Sequence, residues 1–261
     1  PVSTASGRLC IVPAMTRLRP AFLLGTLLLA FCAGPAAADR AIEPQLAPRS
    51  AEASLAAVAR LRPADRTSGG CSAVLIGPDL ALTAAHCARG AVAGPRAMQL
   101  LFRPGESAPA FRATVRAVAF HADYAPAPIT ARNAHADLAL LRLARPVPPE
   151  IATPIPVATG EDAELVAIYG YVNGAPDLLR GHPGCALRRL GPGLSGSDCR
   201  VVSGLSGAPV LSGGPGNWRV EGIAVARLDA RHGGAPLRAL IADVSPWPPF
   251  AGPYALAEPP S

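Results

Sequence analysis

The stretch Gly70-Cys71-Ser72-Ala73-Val74-Leu75-Ile76-Gly77-Pro78-Asp79-Leu80-Ala81-Leu82-Thr83-Ala84-Ala85-His86-Cys87 contains two short apolar runs on either side of a turn. The tripeptide Gly77-Pro78-Asp79 is typical of a tight turn, so the stretch predicts a β-hairpin. Its second strand leads into His86 through small residues, which allow close packing around the imidazole. A lone histidine is more often structural than catalytic, so its role depends on what the rest of the chain supplies.

The remainder of the chain predicts an all-β architecture. Turn-forming residues are spread through the 261 residues, with 30 Pro and 26 Gly, and long helical periodicity is scarce. Residues 98–102, 111–120 and 218–227 predict strands, whereas 181–196 predicts a loop. Residues 55–61 fit a strand or one helical turn equally well. The length allows one domain of two similar halves, or two small domains.

A second informative stretch is Cys199-Arg200-Val201-Val202-Ser203-Gly204-Leu205-Ser206-Gly207-Ala208-Pro209-Val210, in which Ser206 lies on a glycine turn before an apolar run. Such a turn can expose a hydroxyl while the surrounding backbone N–H groups point into one pocket. The motif is weak alone, because a serine hydroxyl needs a base and an orienting acid to become a nucleophile.

A third stretch, Ala134-His135-Ala136-Asp137-Leu138-Ala139-Leu140-Leu141-Arg142-Leu143, places Asp137 directly before an apolar run. By composition alone, this acid is equally well a strand-end cap or a functional carboxylate.

Together, the three stretches resemble the motifs of the trypsin-like (chymotrypsin-fold) serine proteases, of the bacterial secreted type. In that family, Thr/Ser-Ala-Ala-His-Cys follows a hairpin, and Asp-Ile-Ala-Leu-Leu and Gly-x-Ser-Gly come later. The order here is His86, Asp137, Ser206, which is the chymotrypsin order and not that of the subtilisins or α/β-hydrolases. The resemblance covers roughly residues 55–245 and implies two six-stranded antiparallel β-barrels packed together, with the catalytic site in the cleft between them.

The resemblance also implies a mechanism, that of a serine endopeptidase with an acyl-enzyme intermediate. Ser206 is expected to be the nucleophile, His86 the general base and Asp137 the carboxylate that orients the imidazole. The backbone N–H groups of Gly204 and Ser206 are expected to form the oxyanion hole. No metal or organic cofactor is implied. The alternative is a catalytically silent protein of the same fold that only binds peptides or partners.

Two departures from the family pattern concern activation and specificity. Leu205 stands where animal trypsin-like enzymes have the aspartate that receives the new N-terminal ammonium on zymogen cleavage, which excludes activation by that ion pair. Arg200 stands where trypsin has the acid at the floor of its pocket, so we expect no preference for cleavage after Arg or Lys.

The candidate specificity pocket allows two interpretations. In the first, Arg200 and Arg227 favour an acidic P1 residue. In the second, both arginines face solvent and the pocket is small and apolar, lined by Val201, Ala224 and Ala226.

The cysteines predict disulfides. Four of the six remain after removal of a predicted signal peptide, and an even number in an exported chain favours bridges. Of the three possible pairings, we expect Cys71–Cys87 and Cys185–Cys199, which close short loops. A zinc site is disfavoured because no C-x-x-C spacing is present.

The N-terminal region has the pattern of a secretory signal peptide. Met15 is followed by two arginines, an apolar run over 21–33 and Ala36-Ala37-Ala38, and the run is short for a membrane span. Removing residues 1–38 takes three arginines and no acid, which lowers the formal net charge from +6 to +3. The expected location is therefore the periplasm or the medium.

The expected partner is a protein or peptide substrate, with no nucleic acid, no stable membrane insertion after signal removal, and a monomeric state. The predicted organisation is as follows: 1–38 upstream extension and signal peptide, 39–53 leader or short propeptide, 54–145 N-terminal barrel, 146–158 Pro-rich linker, 159–245 C-terminal barrel, 246–261 Pro-rich tail.

Overall fold

The computed structural model describes residues 43–66, 69–92, 94, 97–105, 109–159, 163–232 and 234–251, all within one compact unit. The predicted signal peptide and the start of the leader lie outside these residues. Across the described part of the chain, no helix is long and apolar enough to cross a membrane.

Two short elements precede the first barrel, strand β1 (Gln45–Leu46) and helix α1 (Arg49–Ser54). The strands of the barrel follow: β2 (Val58–Pro63), β3 (Cys71–Gly77), β4 (Leu80–Ala84), β5 (Met98–Pro104), β6 (Pro109–His121) and β7 (Leu138–Leu143). They pair antiparallel in the order β6-β5-β2-β3-β4-β7, and β6 also pairs with β7, which closes a ring of six strands. The predicted hairpin is β3–β4, joined at the Pro78-Asp79 turn.

The second barrel has the same construction. Its strands are β8 (Leu165–Tyr171), β9 (Leu179–Gly191), β10 (Leu194–Ser197), β11 (Pro209–Ser212), β12 (Arg219–His232) and β13 (Ala235–Asp243). The order is β9-β10-β13-β12-β11-β8, and the pairing of β8 with β9 closes the ring. The all-β, two-barrel fold predicted from sequence is confirmed.

Each barrel also receives a short strand from the opposite end of the chain. Near the N-terminus, β1 pairs with β9 of the second barrel. Near the C-terminus, β14 (Phe250–Ala251) pairs with β6 of the first barrel. The barrels themselves span 58–143 and 165–243. Chain segments that precede and follow the barrels thus tie the two halves together, and the domain boundaries given above remain predictions.

The expected loop over 181–196 is wrong, because most of it forms the β9–β10 hairpin. Strand β9 was not predicted because it contains Pro183 and Gly184 and has no regular alternation of buried and exposed side chains. The ambiguous segment 55–61 contains the start of β2, whose residues 58–62 are all buried. A strand buried on both faces shows no period of two in its sequence.

Candidate active site

His86 lies at the start of the short helix α2 (Ala85–Ala88), immediately after β4. Ala84 and Ala85 are fully buried, so the small side chains next to the histidine let this corner pack tightly. The backbone N–H of His86 donates to Asp137 Oδ1 at 2.8 Å, and the N–H of Ala85 donates to the Asp137 carbonyl at 3.1 Å. The histidine backbone and its acidic partner are therefore fixed to each other independently of the imidazole.

The imidazole makes the central contact of the site. His86 Nδ1 lies 2.6 Å from Asp137 Oδ2, and the aspartate is only 1% exposed. A carboxylate can only accept a hydrogen bond, so Nδ1 carries the proton and the neutral imidazole keeps its lone pair on Nε2. The side chain of His86 is 20% exposed, so it is partly accessible to solvent. The arrangement can act as a general base through Nε2.

Asp137 is placed by a 3₁₀ turn over Ala134–Ala136 that leads into β7. The Asp137 N–H donates to the Ala134 carbonyl at 3.1 Å. Of the two interpretations left open by the sequence, strand-end cap or functional carboxylate, the contact with the imidazole favours the second.

A disulfide joins Cys71 at the start of β3 to Cys87 in α2, with Cα atoms 6.1 Å apart. It fastens the residue after the histidine to the neighbouring strand. The second predicted bridge, Cys185–Cys199, is also present and joins β9 to the loop before Ser206.

Two groups of possible metal ligands occur in the described residues, Cys71, His86 and Cys87 in one and His182, Cys185 and Cys199 in the other. All four sulfur atoms are bonded in disulfides and offer no thiolate, so neither group fits a metal ion.

Ser206 lies on a turn between two glycines with positive φ, +100° at Gly204 and +82° at Gly207. A Cβ on Gly207 would lie 2.1 Å from the carbonyl of Ser72 and 2.3 Å from Thr83 Oγ1. The glycine therefore lets the serine turn of the second barrel approach β3 and β4 of the first. Thr83 is three residues before His86, so this contact brings the serine and histidine segments to the same interface.

Ser72, which no sequence motif singles out, fixes the serine turn to the first barrel. Its N–H donates to the Ser206 carbonyl at 2.8 Å, and its Oγ donates to the Gly204 carbonyl at 2.9 Å. The same Oγ accepts a hydrogen bond from the Tyr171 N–H at 2.9 Å, and the Ser72 carbonyl accepts from Thr83 Oγ1 at 2.7 Å. Ser72 is fully buried, so these bonds are shielded from water.

The N–H groups of the turn divide into two pairs. Those of Leu205 and Gly207 donate to carbonyl oxygens of the protein, at 3.0 Å and 2.8 Å. Those of Gly204 and Ser206 donate to no acceptor in the described part of the chain. Two unpaired donors on either side of a bonded one can hold an oxygen atom of a bound group.

The direction of the Gly204 N–H follows from the hydrogen bond made by the preceding carbonyl, that of Ser203. The Asn173 N–H donates to the Ser203 carbonyl at 3.0 Å. The Ser203–Gly204 peptide is trans, so its N–H points away from Asn173. A Cβ on Gly204 would lie 2.3 Å from the Tyr171 carbonyl, so only glycine fits there.

The structure does not complete the expected triad with a hydrogen bond. His86 and Asp137 are in contact, but in the described residues Ser206 Oγ makes no hydrogen bond with His86 Nε2. Nε2 instead lies 3.4 Å from the disulfide sulfur of Cys87, which has no hydrogen to donate. Such catalytic bonds are often long in enzymes without substrate.

The five candidate specificity residues are placed very differently. Val201 and Ala224 are buried in an apolar cluster of the second barrel, Ala226 is half-buried and Arg227 is exposed. The guanidinium of Arg200 forms an ion pair with Glu43, which lies 157 positions earlier in the sequence. Arg200 is therefore occupied by a carboxylate of its own chain.

His121 and Tyr124, at the end of β6 and just after it, have perturbed pKa values. Burial lowers the pKa of His121, the last residue of β6, below its ordinary value of 6.5; the charge of Asp123 opposes this shift, and the neighbouring His135 adds to it. Burial raises the pKa of Tyr124, the charge of Arg89 opposes this shift, and the charge of Asp137 adds to it.

The family model of the trypsin-like peptidase domain matches residues 71–223, which is more than half of the chain. No curated protein matches the chain. The matched range begins at Cys71, which is bridged to Cys87 next to His86, and ends in β12. It includes His86, Asp137 and Ser206. On this match and the two-barrel fold, the chain belongs to the family of trypsin-like peptidase domains.

Proposed function

We propose that the protein is an exported serine endopeptidase that hydrolyses peptide bonds through Ser206, His86 and Asp137. The family and the two-barrel fold support a peptidase in general. The observation that carries the finer proposal is the 2.6 Å contact between His86 Nδ1 and the buried carboxylate of Asp137, which leaves the lone pair of Nε2 to act as a base.

In the proposed mechanism, Ser206 Oγ attacks the carbonyl carbon of the scissile bond while His86 Nε2 takes the hydroxyl proton. The oxyanion is held by the free N–H groups of Gly204 and Ser206. His86 then gives the proton to the leaving amine, and water attacks the acyl-enzyme through the same base. Asp137 keeps the proton on Nδ1 and stabilises the imidazolium.

The substrate backbone is expected to lie along β12, beside the serine turn. The Gly207 N–H donates to the Ala224 carbonyl, so β12 and the turn are fixed to each other. An extended peptide that adds to a strand gains backbone hydrogen bonds irrespective of its sequence, which suits a protein substrate.

Export is supported by the two disulfides, since such bonds persist in oxidising compartments. Expression of the chain from Met15 in a bacterial host, with fractionation and N-terminal sequencing, tests this part. We expect a product cleaved near residue 38 outside the cytoplasm. An uncleaved, reduced product in the cytoplasm would contradict it.

The activity is tested by hydrolysis of a fluorescently labelled unfolded protein. We expect Ser206→Ala and His86→Ala each to lower kcat by at least about 10³-fold, and the double variant to lower it no further, because the two residues act as a unit. Asp137→Asn should lower kcat by about 10³- to 10⁴-fold.

Asp79→Asn is the matched control, since Asp79 is also a carboxylate of the first barrel in an ion pair, with Arg142 at 2.5 Å. It should leave kcat unchanged. If the wild-type protein hydrolyses no peptide bond in the folded state, the proposal fails and the silent binding protein of the same fold takes its place.

A further inference from the structure

The loop that carries Ser206 has no activating ion pair of its own. Leu205 stands next to the serine and is fully buried, in a cluster with Val201 and Ala208. An apolar side chain there cannot hold a buried ammonium group. Ser72 holds the end of the loop over residues 199–206, at Gly204 and Ser206, so other contacts must fix its start.

Three contacts converge on the start of this loop. Cys199 is held to β9 by its disulfide with Cys185. The backbone carbonyl of Arg200 lies 2.9 Å from His182 Nε2, and since a carbonyl only accepts, the imidazole donates. The guanidinium of Arg200 pairs with Glu43. Two of the three anchors lie on β9, and the third lies just before β1.

The segment that carries Glu43 is itself fixed to the second barrel. Strand β1 pairs with β9 through Gln45 and Gly181, next to His182. The Ala47 N–H donates to the Leu179 carbonyl at 2.9 Å. At the other end, Trp218 Nε1 donates to Ser54 Oγ at 2.9 Å.

We propose that residues 43–54 are a permanent brace of the working enzyme, and that Glu43 is a positioning residue which holds, through Arg200, the loop that presents Ser206. The brace replaces the ion pair that Leu205 rules out. This inference rests on the proposed function and adds a structural requirement for it.

Two consequences follow for the sequence-based hypotheses. A propeptide that must be removed cannot include residues 43–54, because its removal would take away Glu43, β1 and the Ser54 contact. An acidic P1 side chain would have to compete with Glu43 for the guanidinium of Arg200, so Arg200 serves the loop and is not the receptor for P1.

The test compares three variants with the wild-type mature protein. Two are substitutions in the full mature chain, Glu43→Gln and the charge-swapped double variant Glu43→Arg/Arg200→Glu. The third is a mature chain shortened to start at Ser54. Steady-state kinetics and the rate of phosphonylation by a fluorophosphonate are measured beside thermal unfolding. The pair is solvent-exposed, with side chains 37% and 64% accessible, so the expected loss is modest.

We expect Glu43→Gln to lower kcat and the phosphonylation rate by about two- to fivefold with KM nearly unchanged, and the charge swap to restore most of the rate. The chain starting at Ser54 should lose about tenfold or more. If Glu43 had a purely structural role, Glu43→Gln would lower the unfolding temperature without a selective fall in kcat, and the charge swap would have no lost rate to restore.

Asp229→Asn is the control, because Asp229 forms a similarly exposed ion pair with Arg238 at the β12–β13 hairpin. It should change neither rate. The brace is overturned if Glu43→Gln keeps the wild-type rates, if the swap fails to rescue, or if the shortened chain gains activity. Failure of the proposed function looks different: the wild-type protein itself would then not react at Ser206, which would overturn both proposals.

Discussion

Ser72→Ala is the substitution that separates the support of the serine turn from the chemistry. The change removes one oxygen atom and leaves all the proposed catalytic residues in place. In the wild-type protein, this oxygen donates to the Gly204 carbonyl and accepts from the Tyr171 N–H, both at 2.9 Å and both out of contact with water. The alanine leaves two buried backbone groups without a partner.

The expected magnitudes follow from that count. Each orphaned buried polar group costs about 1–3 kcal/mol, so the free energy of unfolding should fall by about 2–6 kcal/mol. Loss of an oxyanion-hole donor lowers kcat by about 10²- to 10³-fold. In Ser72→Ala the Gly204 N–H is retained but less well held, so we expect a smaller loss of about tenfold, mainly in kcat.

The assay combines urea unfolding, followed by fluorescence, with steady-state hydrolysis of a peptide substrate at a temperature where both proteins are fully folded. Ser212→Ala is the matched control, since Ser212 Oγ donates to Glu221 on the neighbouring strand β12 and lies away from the turn. It should lower stability and leave kcat unchanged. If Ser72→Ala loses stability but keeps the wild-type kcat, Ser72 does not position the oxyanion donors.

Two further variants test the turn and the surroundings of Asp137. Gly204→Ala should abolish kcat and lower stability, because the new Cβ would lie 2.3 Å from the Tyr171 carbonyl at a φ of +100°, whereas Gly174→Ala, in open space, should leave the hydrolysis rate unchanged. For His121, burial lowers the pKa in the folded protein below the unfolded value of 6.5, so stability is full above about pH 6.5 and falls as the pH drops below it. His121→Gln, which does not titrate, should lose less stability between pH 7 and pH 5 in urea titrations, and an equal loss would contradict the assignment.

The β3–β4 hairpin and the corner at His86 were predictable because their determinants are local patterns, whereas the two-barrel arrangement was implied by the family resemblance. The turn at Pro78-Asp79 between two apolar runs specifies the β3–β4 hairpin, and small residues before His86 specify a tight corner. The pairing of Cys71 with Cys87 could be predicted because only 16 positions separate them. The hairpin reverses the chain, so the helix after β4 lies beside the start of β3.

The elements that escaped prediction depend on contacts between residues distant in the chain. Ser72 looks like any serine in a strand, and only the structure shows its oxygen between Gly204 and Tyr171, 132 and 99 positions away. Likewise, Glu43 lies in a segment without a strong pattern, and its partner is 157 positions away. Pairings at such separations leave no periodicity in a single sequence.

His121 illustrates a related limit. It follows the predicted strand 111–120 and precedes a stretch rich in Ala and Pro, yet it ends β6 and is only 6% exposed. The reason lies at the other end of the chain, where β14 pairs with β6 and Phe250 packs against the imidazole. Burial supplied by a distant strand cannot be inferred from the local composition.

The most direct measurement is the site of reaction with a fluorophosphonate, determined by peptide mass spectrometry on the folded protein. If Ser206 is activated by His86 and Asp137, the protein carries a single adduct on Ser206, and Asp137→Asn, with its fold intact, reacts at least about 10³-fold more slowly. The account is contradicted if the folded wild-type protein gains no adduct, or if Ser206→Ala is labelled to the same extent.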